Sequence, residues 1–137
     1  MLARRKLCAL ILALPVTAGP AAGFAEAASE PKKKGGGISY IQFQTLTATI
    51  FRATGQRGVL TVEAGIDVPD PALRARASLS VPRLRAAYIQ VLESYAGGLP
   101  PGAPPDADYI SRALQAQTDR VLGRPGAGLL LGSMLIN

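Results

Sequence analysis

The sequence predicts an α+β domain. It is a small antiparallel or mixed sheet in the order strand, strand, helix, helix, strand, with a kinked long helix and a shorter helix on one face. Three features carry this expectation. Residues 59–68, VLTVEAGIDV, alternate apolar and polar side chains. Leu84, Ala87, Tyr88, Val91, Leu92 and Tyr95 recur at the spacing of one helical face. The final segment, AGLLLGSMLIN, is apolar and carries no charge.

Each element follows from local chemistry. Residues 40–52, YIQFQTLTATIFR, set β-branched and aromatic residues against Thr and Gln, which is strand composition. ATGQRG then supplies a polar, glycine-bearing turn. In the next strand Leu60, Val62, Ala64, Ile66 and Val68 share one face, and Thr61, Glu63, Gly65 and Asp67 the other, so one side is buried and one wet. Pro69-Asp70-Pro71 stops the strand. Asp70 is placed to cap a helix, and Pro71 suits its first position, where a missing N–H costs nothing. Pro82 kinks or breaks that helix, the apolar stripe continues to Tyr95, and Gly97-Gly98 ends it. LPPGAPPD is a stiff connector. Asp106 or Asp108 caps a second helix with Ile110, Ala113, Leu114, Gln117 and Val121 on one side, closed by Gly123. The last strand is apolar enough to lie centrally in the sheet.

The opening residues 1–27 read as a secretory signal. Arg4, Arg5 and Lys6 precede the apolar run Leu7–Leu14, and Ala25-Glu26-Ala27 matches a signal-peptidase site, so that the mature chain begins near Ala28. The apolar run is far shorter than the ~20 residues of a membrane span. An uncleaved inner-membrane anchor is the alternative. The Arg4-Arg5 pair leaves the Sec and twin-arginine routes both open. Cleavage would remove Cys8, the only cysteine, leaving a chain indifferent to an oxidising periplasm. Residues 28–39, with Lys32-Lys33-Lys34 and Gly35-Gly36-Gly37, form a basic flexible tether, and 40–137 the domain.

Of 137 residues, 15 are Lys or Arg and 9 Asp or Glu. Loss of residues 1–27 leaves 110 residues with 12 basic and 8 acidic side chains, three of the basic ones in the tether. A domain so nearly balanced offers no nucleic-acid footprint. Without histidine or mature cysteine it lacks the residues of histidine triads, thiol nucleophiles and common zinc sites. Glu63 and Asp67 stand roughly 13 Å apart along a strand at ~3.3 Å per residue, beyond the ~5–9.5 Å of glycosidase carboxyl pairs. Asp106 and Asp108 lack the further oxygens a Ca²⁺ site needs. The expectation is a non-enzymatic chain with no catalytic residue, cofactor or metal. Its candidate partner-binding residues are Arg83 and Arg85, off the apolar stripe.

The order of motifs resembles the periplasmic domain of the flagellar basal-body-associated FliL family. The resemblance rests on the T-x-T step Thr47/Thr49, on DVPDPAL (Asp67–Leu73), on PRLR (Pro82–Arg85) opening a long helix, on VLG (Val121–Gly123), and on the closing apolar strand. It covers about residues 40–137. It implies a non-enzymatic domain akin to the stomatin-type module, assembling around the membrane-embedded stator of the flagellar motor, with protein partners and homo-oligomers in prospect. Family members keep a membrane span where this chain carries Ala25-Glu26-Ala27, so a freed periplasmic relative is expected, membrane-proximal only if the signal stays. The alternative is a periplasmic structural or ligand-binding protein unrelated to the flagellum.

Overall fold

The structure, a computed structural model, describes residues 37–137. The cleavage-site residues Ala25, Ala27 and Ala28, and the tether up to residue 36, lie outside the described residues. The chain runs β1 (Tyr40–Gln42), β2 (Leu46–Phe51), β3 (Arg57–Asp67), α1 (Pro71–Leu79), α2 (Val81–Gly98), α3 (Ala107–Leu122) and β4 (Gly128–Ile136). This is the expected α+β architecture, and every pairing in the sheet is antiparallel.

β3 alternates as its sequence requires: Leu60, Val62, Ala64 and Ile66 are buried against the helices. Residues 40–52 are two strands rather than one. Gln42 pairs with Gly65 but Leu46 with Val62, so four steps of chain oppose three, and the extra residue breaks the ladder at 43–45. The excess lets Phe43 and Leu46 both turn inward. β1 and β2 share one edge of β3, because Leu60–Val62 and Gly65–Asp67 each pair with β4 as well. β4 therefore occupies the other edge. The expectation of a central last strand is corrected: a third strand added to the β2–β3 hairpin can only lie outside, and no β4 side chain is fully buried.

Pro82 breaks the helix instead of bending it. A proline there has no N–H and its ring crowds the carbonyl four residues back, so α1 stops at Ser80 and α2 restarts with Pro82 in its first turn, where neither matters. Asp70 caps α1 by accepting the Leu73 N–H at 2.9 Å. Asp106, not Asp108, caps α3 through the Tyr109 N–H at 3.0 Å. Gly123 closes α3 in the left-handed region, φ 79°. Gly97 and Gly98 do not end α2; both remain helical. The stop is Pro100, which forces Leu99 into extended backbone, φ −74° and ψ 124°.

The core lies between the sheet and α2 and α3. Leu84, Tyr88, Leu92 and Ala96 of α2 and Ile110, Leu114, Thr118 and Leu122 of α3 face inward. The outer members of the expected stripes, Ala87, Val91, Tyr95, Ala113, Gln117 and Val121, are half-buried along its margins. Tyr88 and Thr118 bring polar atoms into this layer. The Thr118 Oγ1 donates to the Leu114 carbonyl at 2.9 Å, so the Tyr88 hydroxyl donates to Thr118 at 2.5 Å. The Phe43 ring meets Tyr88 edge-on at 5.1 Å.

Candidate interaction surface

The helices cover one face of the sheet, and no described element covers the other. That open face carries Thr47, Thr49 and Phe51 of β2, Val59, Thr61, Glu63 and Asp67 of β3, and Leu130 and Leu135 of β4. It is less polar than strand alternation suggests. Phe51 is 47% exposed, Val59 42%, Leu130 51% and Leu135 56%. Tyr40 reaches across Gly65, where a Cβ would collide with the Tyr40 ring and hydroxyl. Gly65 thus makes room for the ring. Glu63 accepts a hydrogen bond from the Ser133 Oγ at 2.8 Å. Among the described residues no group of three or more His, Cys, Asp or Glu side chains converges.

The outer edge of β4 has a defined hydrogen-bonding face. Asn137 and Val59 exchange both main-chain bonds, 3.0 and 2.9 Å, so Asn137 faces β3 and Ile136 and Met134 face away. Leu131 pairs with Ala64 and Met134 with Val62, which leaves Gly132 and Ser133 together opposite Glu63: a β-bulge. Before the bulge Leu129 and Leu131 face outward. The start of the edge is already occupied. Gln115 of α3 donates its Nε2 to the Ala127 carbonyl at 2.8 Å and accepts the Leu129 N–H on its Oε1 at 2.7 Å, pairing as a short strand would. Sequence reading passed over Gln115, because a half-buried glutamine on a helix carries no mark of the strand it will meet.

Arg83 and Arg85 are not a pair. Two positions apart on a helix, they point in different directions. Arg83 is exposed, while Arg85 is half-buried with an Nε that has no acceptor among the described residues. Other arginines are held by main chain: Arg74 donates to the carbonyls of Val68 and Pro69 at 3.0 and 2.7 Å, and Arg76 to Leu122 at 3.1 Å. Arg124 meets Asp70 at 2.5 Å on the surface. The Leu73 N–H, opposed by partial desolvation and helped by Arg124, holds the Asp70 carboxyl below its ordinary value of 3.8.

The proline-rich connector crosses the end of β2. The Gly102 N–H donates to the Phe51 carbonyl at 3.3 Å, and Gly102, at φ 77°, passes too near Ala53 for a side chain. Beneath it a depression of about 190 Å³ is lined by Ile50, Phe51, Ala53, Ala103, Pro104 and Ile136. Small-molecule pockets run to roughly 300–1,000 Å³. Asp106 serves as a cap, its own N–H bonded to the Tyr95 hydroxyl at 2.7 Å, and Tyr95 stacks on Tyr109 at 5.4 Å. No helix of the described residues is long and apolar enough to cross a membrane. No family model matches the chain, and no curated protein matches it either.

Proposed function

We propose that this chain is an exported, non-enzymatic interaction domain that works by associating with other proteins, in the manner of the FliL domain it resembles at the flagellar basal body. The observation that carries the reading is the uncovered side of the sheet. Four large apolar side chains, Phe51, Val59, Leu130 and Leu135, stand about half exposed there, the last two on β4, whose outer edge keeps main-chain groups unpaired among the described residues. Apolar surface of this kind, flanked by threonines and rimmed by charge, suits contact with protein.

A photo-reactive residue in place of Thr49, on the open face, should form adducts with a protein partner in living cells. The same residue in place of Arg112, exposed on α3, should not. The flagellar form of the proposal adds that deleting the gene reduces swimming and that the adducts contain motor components. Adducts from Arg112 alone would overturn the assignment of the open face. Normal swimming after deletion would remove the flagellar form and leave a periplasmic interaction module.

A further inference from the structure

We infer that the outer edge of β4 pairs with β4 of a second copy, antiparallel and across a two-fold axis. The inference rests on the reading of this side as an association surface and names its occupant. The outward-facing positions are Leu129, Leu131, Met134 and Ile136, at successive intervals of two, three and two residues. An unbulged strand offers its outward groups at every second residue. It can match one side of the bulge but not both. An antiparallel strand with the same interval pattern matches throughout, because two, three, two reads the same in either direction. Another β4 is such a strand.

The side chains support that register. Leu131 falls opposite Met134 of the copy and Leu129 opposite Ile136, all four from the row that continues the core face. On the open face Leu130 falls opposite Leu135 of the copy, and Leu135 opposite Leu130. These two are the most exposed aliphatic side chains of the sheet, and non-hydrogen-bonded antiparallel pairs bring side chains closest. Nothing in residues 128–137 is charged, so the two-fold sets no like charges against each other. Gln115 already holds the Ala127 carbonyl and the Leu129 N–H, so the Leu129 rung keeps one main-chain bond, from the copy's Ile136 N–H to the Leu129 carbonyl, and the ladder stops there. The other sheet edge is less suited, since its Phe51 carbonyl is already bonded to Gly102.

Sedimentation equilibrium of the full chain tests the register directly. Wild type is expected to form a dimer at micromolar concentration. Leu130→Lys combined with Leu135→Lys should weaken it at least about tenfold by setting two lysine pairs face to face, with unchanged circular dichroism. Leu130→Lys combined with Leu135→Glu carries the same number of charges but sets Lys against Glu at both positions, and should recover dimerisation. Met134→Pro, which removes an outward N–H and no bond to β3, should give a folded monomer. A wild type that stays monomeric, or a dimer indifferent to which double variant is made, overturns the inference. If the monomeric chain still gives Thr49 adducts with another protein, the inference fails and the interaction reading stands.

Discussion

Two buried side chains show what single residues contribute. Leu92 is fully buried mid-way along α2, as the helical spacing predicted. Leu92→Ala should destabilise the domain by about 2–5 kcal/mol, read from the urea midpoint at unchanged m-value. A cost below ~0.5 kcal/mol would mean the site collapses freely or is not core. Tyr88 was legible as core too, but its hydrogen bond to Thr118 was not, because nothing in sequence links positions on two helices. Burial, with the nearby Asp119 carboxylate adding to it against the Thr118 hydrogen bond, pushes the Tyr88 hydroxyl from 10.0 up to about 12. The folded state therefore keeps a proton that the unfolded chain releases between those values. Stability from this group is complete below pH 10 and is lost as pH rises towards 12, by up to about 2–3 kcal/mol. Tyr88→Phe should flatten that part of the alkaline profile relative to wild type. At neutral pH it should cost only about 0.5–1.5 kcal/mol, because Thr118 keeps its bond to Leu114.

At the scale of elements, the contact between α3 and β4 depends on Gln115, whose amide closes the first rungs of an otherwise open strand. Gln115→Ala should cost about 0.5–1.5 kcal/mol and speed amide exchange at Leu129 most of all, the N–H that loses its acceptor. Unchanged exchange at Leu129 would mean that water serves as well. The elements themselves were largely readable, since their signals are local: a carboxylate before Pro71, glycine after Leu122, alternation from Leu60 to Val68. What local signals do not carry is how elements meet. Apolarity in β4 points to a central position, yet a hairpin and one more strand leave only an edge for the newcomer. The bulges at 43–45 and at Gly132-Ser133 were invisible for a related reason. They exist only as a difference in length between two strands paired across the sheet. Gly98 stayed helical because Pro100 supplies a harder stop than glycine does.

For the molecule as a whole, the two-layer build divides the charged residues into those that hold the fold and those left to meet other molecules. Arg74 and Arg76 are spent on backbone carbonyls, and Arg85 lies half-buried beside the helix layer. Arg83 in the first turn of α2 points into solvent. If the domain functions by association, a rim charge of this kind acts through screened, long-range attraction, and its effect belongs to capture rather than stability. Arg83→Glu should leave the thermal midpoint within a degree or two of wild type and weaken partner capture, more at low salt than at high. Arg85→Glu should lower the midpoint as well, because it sets a carboxylate into a partly dry site. Glu63→Gln with Asp67→Asn should leave the protein folded and capture intact, since both carboxylates sit on an open sheet face, where among the described residues Glu63 bonds only Ser133. Pull-down from periplasmic extract at two salt concentrations, with melting curves on the same preparations, separates these outcomes. Loss of cellular function from the carboxylate pair, with Arg83→Glu silent, would contradict association as the mode of action and turn attention to chemistry at Glu63.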